Sequence, residues 1–263
     1  MESKQTILKL YKNRGETPLE CLERFKIDNP EYKNEKMTYA GRLDPLAEGL
    51  LLVLVGEECK NKDKYLGMDK IYEVDVLFGF STDTYDILGK VLQTSKCESL
   101  ECSDGLAFND IKKFQPIFND IKTFIGKSFQ KYPPFSSKTI KGKSLFSLFK
   151  SGELKDEEIP VKEVEIKDIK IKGGRTISKT DLEKYIIESI NLVKGDFRQK
   201  EILNIWEKSL KEAKQDNSMI ISLAVDCTSG TYMRSLSNSI GEKVGIPALA
   251  LNIKRIKVGD SNI

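Results

Sequence analysis

Histidine is absent from all 263 residues, which removes imidazole general bases, Ser-His-Asp and Cys-His nucleophile pairs and every His-ligated metal site. Tryptophan occurs once. The five cysteines (Cys21, Cys59, Cys97, Cys102 and Cys227) are odd in number and contain no CxxC pair, so they indicate neither a disulfide framework nor a metal site. The expectation is free thiols in a reducing compartment, the cytoplasm. Long apolar runs are missing too. The longest, Leu50 to Val55, lies between Gly49 and Gly56 and is far too short to cross a bilayer. Met1 to Leu10 lacks the positive-then-apolar layout of a signal peptide. Excess charge of one sign is nearly missing: 43 basic against 40 acidic residues leave +3, which allows a local basic patch but no polyelectrolyte tail.

What is present reads as a mixture of strands and helices. Ile7 to Tyr11 is expected to be an edge strand. Thr17-Pro18-Leu19-Glu20 supplies an N-cap, a proline at the first helical position and a capping-box Glu, so a helix should follow to about Phe25. Residues 28–36 read as a polar loop, and Met37 to Pro45, with its Gly and Asp-Pro, as turn punctuation. Leu50 to Val55 reads as an interior strand. Ile71 to Phe80 alternates, with Tyr72, Val74, Val76 and Phe78 on one face, and is expected to be half-buried; Gly89 to Gln93 follows as a second strand. Residues 95–105 read as a surface insertion, and 109–124 as two short helices separated by Pro116.

Further along, Tyr132 to Phe135 should be extended by its prolines, and Lys143 to Lys150 should form a short helix closed by Gly152. Pro160 to Ile171 alternates as a strand. Thr180-Asp181-Leu182-Glu183 repeats the capping-box pattern and opens a helix to about Val193, with a second helix carrying Trp206 to about Lys214. Met219 to Cys227 and Leu249 to Val258 read as strands around a helix from about Tyr232 to Val244. Without regular βαβ alternation, the class is α+β.

With histidine and metal clusters gone, chemistry falls to carboxylates, tyrosines and arginines displayed on loops. Asp44 is the best placed, in a Gly-Arg-Leu-Asp-Pro turn between apolar segments. Taken alone, an Asp before Pro is most often an Asx turn.

Four ordered blocks change that weighting. Tyr39-Ala-Gly-Arg-Leu-Asp-Pro-Leu-Ala-Glu-Gly-Leu50, followed by Gly56 to Lys60, resembles the catalytic motif of the TruB-type tRNA pseudouridine synthases. Lys70 to Val74, Phe78 to Asp86 and Gly89 to Val91 are similar to that family's Tyr-bearing strand and Thr-Asp-Thr turn. Gln130 to Ser137, Gly142-Lys143 and Leu145 to Gly152 resemble its Pro-Pro segment. Ser229 to Ser235, Gly241 to Gly245 and Lys254 to Gly259 resemble its arginine-bearing C-terminal motif.

The resemblance implies one catalytic domain over residues 1–263, a pseudouridine synthase fold with a long, mixed but mostly antiparallel sheet, flanking helices and a central cleft. It implies isomerisation of a uridine to pseudouridine in RNA, uridine 55 in the T arm of tRNA, with no cofactor, no metal and no membrane, by a monomer. Asp44 would act as nucleophile or base. A carboxylate facing RNA phosphates needs a cation beside it, and Arg234 matches the family's partner. Tyr72 matches the tyrosine that stacks on the flipped base, and Tyr232 and Ile253 match positions lining the uracil pocket; by sequence alone Tyr72 and Ile253 also suit strand core.

Departures from the family are visible. Tyr39 stands where a histidine usually wedges into the RNA, and its ring could stack instead. Ser229 stands where a lysine is usual. Arg42 makes the motif closer to the RsuA and RluA synthases. The chain ends just after the last motif, so a C-terminal PUA domain is expected to be missing. Lys131, Lys138, Lys141 and Lys143 are candidates for RNA contact, and residues 172–215 form a helical segment to which no role is assigned. Two other readings are a catalytically weak RNA-binding or tRNA-folding protein on the same scaffold, and a synthase acting on another RNA.

Overall fold

Short apolar runs and period-two alternation put most of the strands into one sheet. The computed structural model describes residues 5–95, 111–140, 142–153 and 158–263. Its strands are β1 (Ile7–Lys12), β2 (Met37–Ala40), β3 (Glu48–Val55), β4 (Lys70–Phe78), β5 (Phe80–Thr82), β6 (Val91–Thr94), β7 (Gly126–Lys131), β8 (Thr139–Ile140), β9 (Lys143–Ser144), β10 (Val161–Ser178), β11 (Asn217–Cys227), β12 (Ala248–Val258) and β13 (Ser261–Asn262). Helices are α1 (Pro18–Asp28), α2 (Lys62–Leu66), α3 (Ile111–Lys122), α4 (Leu145–Lys150), α5 (Lys179–Leu192), α6 (Gln199–Glu212) and α7 (Met233–Val244).

The main sheet has nine strands in the order β1-β3-β12-β4-β11-β10-β7, with β2 also paired to β3 and β13 to β12. Its pairings are antiparallel except β3 with β12, which run parallel at Glu48–Lys254 and Gly49–Arg255. That parallel pair sits directly after the Asp44 loop. Gly49 makes the close approach possible: its φ is +108°, and a Cβ there would lie 2.3 Å from the Arg255 carbonyl oxygen.

The two faces of the sheet carry separate cores. On one, Val74, Val76 and Phe78 join Leu223, Val225 and Ile253 beneath α3 and α7. On the other, Leu77, Ile220 and Leu249 pack under α5 and α6, where Trp206 is buried and donates its indole N–H to the Ile87 carbonyl at 3.1 Å. Each fully buried Leu, Ile or Phe contributes about 1.5–3 kcal/mol to holding these layers.

The local signals are largely realised. The Thr17 hydroxyl accepts the Glu20 N–H at 3.1 Å, and Glu20 accepts the Thr17 N–H at 2.7 Å, closing the expected capping box.

Four expectations are corrected. Residues 111–122 are one helix through Pro116, because burial of Ile117, Phe118 and Ile121 in the core outweighs the hydrogen bond the proline removes. Met37–Ala40 is a strand, drawn into register with β3 from Met37↔Val55 to Ala40↔Leu52. The segment 172–215 is not helical from its start: β10 runs to Ser178, paired with Asn217. Consequently the cap of α5 is Ser178, where sheet pairing ends and its Oγ accepts the Asp181 N–H at 3.1 Å, rather than Thr180. Strand β7, pairing along β10, had no sequence signal. Most of the insertion expected at 95–105 lies outside the described residues.

Candidate active site

The loop between β2 and β3 carries Asp44, and two buried cations hold its backbone. Lys12, fully buried on β1, donates to the carbonyls of Ala47 at 2.6 Å, Asn13 at 3.1 Å and Pro45 at 3.2 Å. Burial lowers its ammonium to about 8, against the upward pull of Asp44. Arg255, 1% exposed on β12, donates to Leu50 at 2.8 Å, Gly41 at 3.2 Å and Arg42 at 3.3 Å. The Asp44 carbonyl closes the turn by accepting the Ala47 N–H at 3.0 Å, which leaves its carboxylate to point elsewhere.

That carboxylate meets Arg234 at the start of α7. Arg234 is 3% exposed and donates Nε to Asp44 Oδ2 at 2.8 Å, Nη1 to the Thr84 carbonyl at 2.8 Å and Nη2 to the Phe135 carbonyl at 3.2 Å. Asp86 Oδ2 lies 3.7 Å from the same Nε. Burial on its own would pull the guanidinium down; the charges of Asp44 and Asp86 outweigh it and hold Arg234 above its ordinary value. Asp86 itself is pushed up by burial, which the charge of Arg234 and the Thr84 hydroxyl, bonded to Oδ1 at 2.7 Å, only partly offset.

The blocks singled out in the sequence thus converge: the Asp44 loop, the Thr82–Asp86 turn, the Pro-Pro segment and α7 all meet at one guanidinium. Tyr72 lies on β4 opposite Arg255 and Val225, on the core face, with its hydroxyl raised first by burial, against the pull of Arg255. Tyr232 caps α7. Its backbone N–H and carbonyl both bond the Gln130 side chain, at 2.7 and 3.0 Å, and its ring meets Tyr132 edge-on with centroids 5.5 Å apart. Burial, then the charge of Asp44, pushes its hydroxyl up to about 12. Ile253 is buried opposite Val74 in the same core.

Tyr39 lies apart from this group. Its ring packs on the cluster containing Leu8, Leu22, Leu51 and Val53, with Lys62 Nζ 5.6 Å from the ring centroid. Among the lysines near the Pro-Pro segment, Lys138 Nζ stands 5.4 Å over the Tyr132 ring and Lys143 is paired with Glu153 at 2.7 Å. Lys141 lies outside the described residues.

An open pocket extends from Asp44, Asp86 and Arg234 along Leu88, Phe135, Phe146 and Phe197 to Arg198. Phe197 and Arg198 come from the connection between α5 and α6, the segment to which the sequence assigned no role. The only local hint is Gly195, at φ +86°, which breaks the chain out of helix after Val193. Lys12 and Arg255 were also missed, since a lysine on an edge strand ordinarily reads as exposed. Among the described residues, no group of three or more Cys, Asp or Glu is placed to hold a metal ion.

Comparison with known proteins gives the geometry a context. Residues 30–186 match the family model described as TruB family pseudouridylate synthase (N terminal domain). The tRNA pseudouridine synthase B of Aquifex aeolicus (strain VF5) is 30% identical over 256 residues, covering 97% of this chain and 69% of that protein. The protein of the same name from Thermotoga maritima is 26% identical over 260 residues, covering 99% of this chain and 65% of that protein. The chain therefore spans about two thirds of the length of these curated relatives. Among solved structures, a Cbf5-Nop10-Gar1 complex aligns with a TM-score of 0.53 and 16% identity over 97% of this chain and 50% of that one, a likeness of fold.

Proposed function

Because the chain belongs to the TruB family of pseudouridylate synthases, we propose that the Asp44 site isomerises a uridine of tRNA to pseudouridine, at position 55 in the T arm. The juxtaposition that supports this most is a pocket-lining carboxylate left 36% exposed while its arginine partner is 3% exposed. The arginine is held by fixed protein acceptors, so of the pair it is the carboxylate that is the more open to incoming substrate. In the reaction the N1–C1′ bond of the uridine breaks, the uracil turns, a C5–C1′ bond forms, C5 loses its proton and N1 gains one. Nothing is gained or lost overall. Asp44 serves as nucleophile or base at this step.

Reaching Asp44 requires the uridine to leave its stack, at about a few kcal/mol. Tyr72 is assigned to stack on the extruded ring, and Tyr232 and Ile253 to bound the uracil from the core side. Tyr39 offers a ring to the RNA in place of the usual histidine. The protein acts as a monomer without metal, and its three described cysteines, all free, fit a cytoplasmic enzyme.

The test is conversion of an unmodified tRNA transcript, with pseudouridine mapped by a base-specific chemical adduct and primer extension. A single modified T-arm uridine, lost in Asp44→Asn, is expected. Absence of any modified T-arm uridine, or full activity in Asp44→Asn, would overturn the reading. Conversion should also survive EDTA once the tRNA is folded.

A further inference from the structure

Arg234 is oriented by three acceptors, two of which are main-chain carbonyls on separate segments: Thr84 in the turn between β5 and β6, and Phe135 after the Pro-Pro pair. One side chain touches both segments. Arg198 Nη1 and Nη2 reach Asp83 Oδ2 and Oδ1 at 2.8 and 3.4 Å, and the Arg198 guanidinium carbon lies 4.3 Å from the centroid of the Phe135 ring. Asp83 is the immediate neighbour of Thr84. It is pinned in turn, its Oδ1 accepting the Lys90 N–H at 2.8 Å and its N–H bonding the Lys90 carbonyl at 3.0 Å.

The backbone at Arg198 is also constrained. Its φ of +64° is left-handed, a conformation a branched or long L side chain avoids unless its surroundings impose it. There it ends the connection from α5 and begins α6, whose N-terminus has no side-chain cap. The ion pair it makes is four-fifths shielded, 19% and 21% exposed for the two partners, so it is far less screened than a surface pair. Planar stacking and a two-pronged bond to one carboxylate are properties of a guanidinium that an ammonium cannot reproduce.

We propose that Arg198 is a positioning residue for the Asp44–Arg234 pair: by clamping Asp83 and Phe135 together, it fixes the two carbonyls that aim the Arg234 guanidinium at Asp44. This gives the α5–α6 connection a role in the reaction, as a brace that closes the pocket opposite the Asp44 loop. It rests on the isomerase reading for its kinetic consequence, but not for its geometric one.

The test compares wild type with Arg198→Ala, Arg198→Lys and Phe135→Leu on the tRNA transcript, at single turnover, reading the saturating rate separately from RNA affinity. In parallel, side-chain ¹⁵N spectra follow the exchange of the Arg234 Nε–H, one of only seven arginine signals. Arg198→Ala is expected to lower the saturating rate by roughly ten- to a hundredfold, the scale of a small misplacement of reacting groups, with RNA affinity kept and the Arg234 proton exchanging faster. Arg198→Lys should recover part of the rate, and Phe135→Leu should speed Arg234 exchange with α6 undisturbed. An unchanged rate in folded Arg198→Ala, or a loss confined to RNA affinity, overturns the proposal. So does an Arg234 proton as protected in Arg198→Ala and Phe135→Leu as in wild type. If wild type fails to convert uridine, the isomerase reading falls while the exchange data still decide the clamp. If Arg198→Ala does not fold, the Lys and Leu variants decide it.

Discussion

Asp44 and Asp86 face the same guanidinium, the first 2.8 Å from Arg234 Nε with its side chain 36% exposed, the second at 3.7 Å and 12% exposed. Asp86 spends Oδ1 on the Thr84 hydroxyl and the Leu88 N–H, at 2.7 and 2.9 Å. Asp44 has its turn closed by backbone and lines the pocket. The same chemical group is therefore placed once as an internal counterion and once with its carboxylate open to solvent. Exposure and unspent lone pairs separate the two roles, not residue type or distance to the arginine alone.

The largest effect expected on this contrast is on turnover. Asp44→Asn should lower conversion by roughly 10³- to 10⁴-fold while costing only on the order of 1 kcal/mol of stability, since Asp44 is partly solvated and Asp86 still stands 3.7 Å from Arg234 Nε. Matching thermal melts with lost pseudouridine formation is the expected result; a collapsed fold would move Asp44 into the counterion role.

Arg234→Leu should instead destabilise the fold, by about 3–5 kcal/mol in urea unfolding, because Asp86 is left buried without its cation. Asp86→Asn keeps an oxygen for Thr84 and Leu88 and sheds a charge that burial opposes. Its stability should shift by about 1 kcal/mol or less, and its conversion rate should fall far less than that of Asp44→Asn. Equal loss of activity in the two carboxylate variants would erase the distinction between them.

The pH dependence of stability brings in two buried lysines, Lys12 beneath the Asp44 loop and Lys70 at the start of β4. Lys12 and Lys70 are each lowered by burial from an ordinary 10.5 to about 8. Between pH 8 and 10.5 the unfolded chain therefore binds more protons than the native one, so stability rises as pH climbs through that window and is level below it. Urea midpoints measured from pH 7 to 10 should show this slope, and Lys12→Met should flatten it by about the share of one such group. A slope unaltered in Lys12→Met would mean that Lys12 is not the depressed group.

Local signals were read well where the chain decides locally. The alternation of Tyr72, Val74, Val76 and Phe78, the Thr17 capping box and the Trp206 helix all stand as the sequence indicates, because each depends on residues within a turn or a strand. Pro116 shows the opposite. Its local cost argued for a break, and burial of Phe118 and Ile121 overrode it. Lys12, Arg255 and Arg198 were illegible for a related reason: their acceptors at Ala47, Leu50 and Asp83 lie 35, 205 and 115 residues away along the chain. No spacing rule reaches that far.

The sequence by itself determined the groups on offer: no imidazole, an Asp in a Gly-Arg-Leu-Asp-Pro turn, an Arg at the head of a late helix, and the family to which those blocks point. Tertiary structure decided which carboxylate is open to solvent and which is buried beside the arginine, since that depends on packing and on hydrogen bonds from segments far apart in the chain. It also decided that a segment without a motif, the α5–α6 connection, lines the pocket. Burial and long-range hydrogen bonding are properties of the assembled chain, and only assembly could assign them.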